Sequence, residues 1–453
     1  MLTRRAFGTH TLAWLAAGAS APAFQWTANY DEAKVPAYTL PPLLEADTGR
    51  PIRSIGDWEM HRDVLLDKFS RHVYGHTPGH LRPSRRVGVV PVGSQPPAAQ
   101  GPLVRLPRSR VVVREEGTPA LNGRATRSQF ALEWPDHPAV LPVDVLVYAP
   151  AVVSAPVPVF VGLNFFGNHS VHSDPAIRLS TRWMRASEAH GVRDHRATDA
   201  SRGTSASRWP LEAIVEAGCA VMTAYCGDLA PDDPAELGGG IAPLFTDDVA
   251  KTPADERWGA LGMWAWGLSR LRDLVDTLPA LDASRVAVLG HSRLGKAALW
   301  AGAQDPRFAM VVSNDSGCGG AALSRRAYGE TVGRITSAFP HWFCQRFATY
   351  AEREHALPVD QHQLLALVAP RALYVASAVE DRWADPKGEF LAAAELDPLY
   401  RLWNLEGLGT REMPAVDRPI GATVRYHVRR GGHDITEFDW RQYLHAIAAV
   451  TAA

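Results

Sequence analysis

A chain of 453 residues with 46% hydrophobic and 21% charged residues can bury a sizeable core, as one large domain with insertions or as two or three average ones. Its 47 basic and 48 acidic residues leave a net charge of −1, which argues against nucleic-acid binding and against polybasic attachment to a membrane surface. Four cysteines are too few for a disulfide scaffold, and only five basic residues are lysines (Lys34, Lys68, Lys251, Lys296 and Lys387), a bias that fits a GC-rich genome and draws attention to each lysine.

Thr3, Arg4, Arg5 and Phe7 match a twin-arginine export signature. A short apolar stretch from Leu12 to Ala19 follows, then the small-residue patterns Ala19-Ser20-Ala21 and Ala21-Pro22-Ala23. Residues 1–23 therefore read as a removable signal peptide, because the apolar core is far below the roughly 20 residues of a spanning helix. The expected product is periplasmic or secreted and free of the membrane after processing. Residues 24–135 are rich in proline and arginine, with strand signals at Arg86–Val92 and Ser109–Glu115, and are expected to form an N-terminal extension packed on the core. Residues 136–453 are the expected catalytic domain. Short apolar runs there (Pro142–Tyr148, Val157–Leu163, Ala220–Tyr225, Arg285–Leu289, Phe308–Ser313, Ala372–Ser377 and Thr423–Val428) alternate with helical patterns at Trp258–Thr277, Lys296–Gly302 and Phe438–Ala452. That alternation predicts an α/β-hydrolase-like three-layer sandwich with a mostly parallel central sheet. Residues 170–210 and 320–365 read as loop-rich insertions.

The strand Arg285–Leu289 runs into Gly290-His291-Ser292-Arg293-Leu294-Gly295-Lys296 and then a helix. Strand, sharp turn, serine and helix describe a nucleophile elbow, with the second glycine one position later than in G-x-S-x-G. A serine nucleophile needs a base, and the base an acid. His433 follows the last strand behind Gly431-Gly432, which makes it the base candidate. Two acids compete: Asp381, in the loop after Ala372–Ser377, and Asp315, one strand earlier. Spacing does not rank them. There is no H-E-x-x-H, C-x-x-C, G-x-G-x-x-G or P-loop, and Asp228, Asp232 and Asp233 in their proline-rich loop read as a turn rather than a calcium site. A hydrolase without metal or cofactor is the expectation.

Gly290-x-Ser292-Arg293-x-Gly295-Lys296 is similar to the G-x-S-R-x-G-K motif of the glucuronoyl esterases, carbohydrate esterase family 15. Segments 162–169, 313–326, 341–344 and 432–434 resemble those of bacterial members, so the likeness spans roughly 140 to 445. It implies a serine esterase that cleaves esters of (4-O-methyl-)glucuronic acid, as in glucuronoxylan–lignin linkages. Under it Ser292 resembles the nucleophile, His433 the base, Arg293 an oxyanion-stabilising residue and Lys296 a sugar-hydroxyl donor. Glu330 and Trp383 resemble a hydroxyl acceptor and an aromatic wall. Asp315 stands where members often carry glutamate, and His291 and Asp434 stand where fungal members carry a disulfide. Cys318 and Cys344 fall inside family-like motifs and are expected to pair, while Cys219 and Cys226 are expected to be buried thiols. Other readings are an acetylxylan or feruloyl esterase, which would not need Lys296, Glu330 and Trp383, and a non-catalytic sugar-binding protein, which would not need Ser292, His433 and an acid together.

Overall fold

The computed structural model describes residues 27–78 and 107–450. The signal peptide expected at 1–23 and the strand expected at Arg86–Val92 lie outside the described residues. The strands are β1 (Arg110–Ala120), β2 (Ala125–Glu133), β3 (Val143–Pro150), β4 (Val157–Asn164), β5 (Val192–Arg193), β6 (Arg196–Ala197), β7 (Ala220–Tyr225), β8 (Leu281–His291), β9 (Met310–Asn314), β10 (Ala372–Ala378), β11 (Ile420–Gly421) and β12 (Val424–Arg429). All except the small β5–β6 hairpin join one ten-stranded sheet in the order β1-β2-β3-β7-β4-β8-β9-β10-β12-β11. From β7 to β12 neighbouring strands are parallel, while β1, β2, β3 and β11 attach antiparallel at the two ends.

The parallel strands β4, β7, β9 and β10 are buried almost throughout, as expected where helices cover both faces of a sheet. Ala220, Met222 and Ala224 of β7 face one hydrophobic cluster and Val221 faces the other. The first cluster takes in helices Ala260–Val275 and Arg293–Gln304. The second takes in Ile214, Trp440 and Tyr443, the last two from helix Glu437–Ala448. The three-layer arrangement and the seven strands expected after residue 140 are present.

Two features of residues 24–135 were not expected. β2 was not anticipated as a strand, and β1 with β2 extends the central sheet itself. The strand expected at Ser109–Glu115 is the first half of β1, which is solvated along most of its length. Helix Ile55–Phe69, capped by the Ser54 hydroxyl on Asp57 N at 3.1 Å, buries Trp58, Leu65, Leu66 and Phe69. Phe69 lies 6.5 Å from Trp300, so this helix braces the one that follows Ser292.

Six loops leave the carboxyl edge of the sheet, where ligands bind in open α/β sheets. They carry Phe165 after β4, Asp232 after β7, Ser292 after β8, Asp315 after β9, Asp381 after β10 and His433 after β12.

Candidate active site

β8 ends at His291, and Ser292 turns the chain at φ 56° and ψ −132° directly into helix Arg293–Gln304. A side chain held there is strained, and the surrounding packing enforces it. A Cβ on Gly290 would come 2.0 Å from Leu294 O, so the strand and helix can meet only at glycine. A Cβ on Gly295 would sit 3.0 Å from Gly290 O and 3.1 Å from Ser316 Cβ. The glycine at the third position after the serine is thus the point where the helix crosses closest to the strand ends, which accounts for the shifted motif.

Ser292 Oγ lies 2.8 Å from His433 Nε2, and His433 Nδ1 lies 2.5 Å from Asp381 Oδ2. Because Asp381 accepts at Nδ1, Nδ1 carries the proton and Nε2 presents its lone pair to the serine hydroxyl. Arg429, the buried last residue of β12, holds the histidine loop. Its guanidinium donates to Arg430 O (3.0 Å), Gly432 O (3.1 Å) and Asp434 O, and its Nε to Asp439 Oδ2 (2.7 Å). Arg429 had no role in the sequence reading, since arginine is too abundant in this chain to stand out.

The two candidate acids separate clearly. Asp315, Asp381 and His433 place ligand atoms within 4.8 Å of one another, yet only Asp381 bonds the imidazole. Asp315 Oδ2 accepts from Arg429 Nη2 at 3.2 Å, and its buried Oδ1 has no hydrogen-bond partner. Burial and the nearby carboxylates of Glu389 and Asp381 push the Asp315 carboxyl well above the ordinary aspartate range, against the pull of Arg429.

His291 packs on the His433 imidazole with ring centroids 4.6 Å apart. Its Nδ1 meets Asn314 Oδ1 at 2.6 Å, and the Asn314 amide is oriented by donating to Tyr443 Oη at 3.0 Å. Burial, next to the other positive groups, holds His291 well below the ordinary histidine range, so a neutral ring backs His433. Asp434 accepts from Arg208 Nε at 2.6 Å.

Lys296 Nζ donates to Ser316 O at 2.5 Å and lies 3.9 Å from Glu330 Oε2, with side chains only 5% and 7% exposed. Burial raises the Glu330 carboxyl, opposed by Lys296, a hydrogen bond from the Trp383 side chain and the charge of His433. The structure therefore brings Lys296, Glu330 and half-buried Trp383 together near His433. Arg293 lies over the Phe165 ring, 4.5 Å from its centroid, with its Nε 3.1 Å from Asp232 Oδ2. Asp232 was read as part of a turn. It is a buried partner of Arg293 from a loop some 60 residues upstream, which no local signal marks.

The Cys318–Cys344 disulfide is not formed: all four cysteines are buried free thiols. Cys344 Sγ contacts Arg71 O at 3.6 Å, toward the N-terminal helix, whereas Cys318 feels the charges of Glu330 and Lys296. Mass spectrometry of alkylated, non-reduced protein is expected to find four thiols, modified only after unfolding; one linked pair would contradict this.

The profile of fungal glucuronyl esterases matches residues 252–402. A carbohydrate esterase, MZ0003, of an unknown prokaryotic organism is 42% identical over 417 residues, covering 92% of this chain and 90% of the relative. The chain belongs to the glucuronoyl esterases of carbohydrate esterase family 15. It is a carboxylic ester hydrolase. Among solved structures, the glucuronoyl esterase from Solibacter usitatus is 42% identical with a TM-score of 0.81, covering 92% of this chain and 99% of that one. A promiscuous esterase of the same family from a marine bacterial metagenome is 40% identical with a TM-score of 0.82, covering 94% and 100%. Among the described residues of this family member no helix is long and apolar enough to cross a membrane.

Proposed function

We propose that this esterase hydrolyses esters of (4-O-methyl-)glucuronic acid, with glucuronoxylan–lignin linkages as its natural substrates. The observation that carries the reading is the Ser292–His433–Asp381 relay standing beside the buried Lys296–Glu330 pair and Trp383. His433 Nε2 takes the Ser292 proton as Oγ attacks the ester carbonyl, and Asp381 stabilises the imidazolium that forms. The developing oxyanion meets the Arg293 amide at the helix N-terminus and the terminal nitrogens of its guanidinium. Collapse releases the alcohol, protonated by His433. Water, deprotonated by the same imidazole, then cleaves the acyl-enzyme and frees glucuronate. The Lys296 ammonium and Glu330 carboxylate suit sugar hydroxyls, and the Trp383 ring suits a pyranose face.

A test uses benzyl glucuronate against a simple acetyl ester. Glu330→Gln is expected to lower kcat/KM on the glucuronate ester by about 10- to 100-fold, the worth of a hydrogen bond to a charged group, with the acetyl ester changed less than about threefold. Equal losses on both would remove the sugar-binding role. A second reading, a broader carbohydrate esterase active on acetyl or feruloyl esters, is favoured by the promiscuity of the marine relative. A wild-type kcat/KM on acetylxylan equal to that on benzyl glucuronate would select it. Twin-arginine export is part of the same proposal: an Arg4/Arg5→Lys pair is expected to abolish periplasmic recovery, and unchanged fractionation would refute it.

A further inference from the structure

We propose that Asp232 is a positioning residue for Arg293, fixing its guanidinium so that the terminal nitrogens face the site of negative-charge development. The proposal rests on the assignment of Arg293 as oxyanion stabiliser made above. The guanidinium sits inside a ladder of alternating rings and cations. Phe165 lies under Arg293, 4.5 Å from centroid to Cζ, with Arg208 also over Phe165 at 5.8 Å. On the other side Trp342 lies 5.8 Å from Arg293 and stacks on Phe339 at 3.8 Å, and Arg185 lies over Phe339 at 6.0 Å. Stacking sets the plane of a guanidinium but leaves it free to rotate in that plane.

Asp232 adds a charge contact in that plane, an ion pair that opposes the rotation without a formed hydrogen bond. Its Oδ1 accepts from Trp342 Nε1 (2.7 Å) and His341 Nε2 (2.9 Å), while Oδ2 faces Arg293 Nε (3.1 Å) and Arg185 Nη2 (3.9 Å). One carboxylate thus joins the aromatic wall to the cation. The Nε of Arg293 is buried against Asp232 as an ion pair without a hydrogen bond, while the side chain keeps 23% exposure, so the open part is its terminal end. Among the described residues, no hydrogen bond from those terminal nitrogens to the protein is formed, which leaves them for substrate.

Both anchors of the clamp are themselves fixed. Trp264 Nε1 donates to Ala230 O at 2.9 Å, two residues before Asp232. His341 O and Trp342 O accept from Ala260 N (2.8 Å) and Leu261 N (3.1 Å), the free amides that open helix Ala260–Val275. Three chain segments, following β4, β7 and β9, therefore converge on one guanidinium. Holding such a group still in the ground state is how a donor becomes stronger in the transition state than in the substrate complex.

The test is a double-mutant cycle on benzyl glucuronate with kcat and KM read separately. Asp232→Asn is expected to lower kcat roughly 10- to 100-fold with KM changed less than about threefold, because only the transition state carries the oxyanion. In an Arg293→Met background the same substitution is expected to change kcat less than about twofold. Full kcat in Asp232→Asn, or equal losses in both backgrounds, overturns the clamp. Wild-type kcat in Arg293→Met overturns the oxyanion assignment instead, so the two failures are distinct. If Asp232→Asn does not fold, Phe165→Leu, which removes the ring beneath the cation, enters the same cycle and is judged by the same criterion.

Discussion

Asp381→Asn is expected to lower kcat by about 10³- to 10⁴-fold, while Asp315→Asn lowers it less than about tenfold. Asp381 accepts from His433 Nδ1 at 2.5 Å, and an amide there presents either a donor or a neutral acceptor. Either change favours the wrong tautomer or removes the charge that stabilises the imidazolium. Asp315 makes no bond to His433, and its surroundings already favour the protonated carboxyl, which an amide imitates. The same environment has a consequence for stability. A carboxyl whose folded-state pKa is raised contributes stability that is complete below its unfolded value, near 3.8, and is lost as pH rises through the folded value. Asp315→Asn is therefore expected to gain stability over wild type as pH rises, in parallel urea titrations at acid and alkaline pH. Parity between the two aspartate variants in kcat would overturn the assignment of the acid.

Ser292→Ala is expected to lower kcat by about 10⁵- to 10⁶-fold, the largest effect of any single substitution in this protein. Serine and alanine share a Cβ, so the strained φ 56° is common to both and adds no new cost. Among the described residues the hydroxyl makes one side-chain hydrogen bond, to His433, so the melting temperature is expected to stay within a few degrees. With the fold intact and Lys296, Glu330 and Trp383 untouched, benzyl glucuronate should still bind with a Kd close to that of the wild type. Activity loss with retained binding identifies the hydroxyl as the attacking group. Residual turnover above about 1% of wild type would mean that another group attacks the ester.

Much of this site was legible because its signals are local. The apolar runs of β4, β7 and β10 name buried parallel strands, since contiguous burial needs no knowledge of partners. Ser292 and His433 announce themselves through neighbouring glycines at the ends of such strands. β1 was legible only over Ser109–Glu115, while β2 and helix Ile55–Phe69 were not, the helix because it buries residues with little periodic contrast.

The sequence by itself pointed to the layered α/β architecture, to Ser292 and His433 as candidate nucleophile and base, and to two candidates for the acid, while the family resemblance singled out Lys296, Glu330 and Trp383. The tertiary structure decided which acid meets the imidazole, that Cys318 and Cys344 stay apart, and that Arg293 is held by Asp232 rather than left free. These outcomes hang on distances between segments tens of residues apart. Hydrogen bonds and disulfides discriminate over about an ångström, and no spacing along a chain encodes a length that short between remote loops.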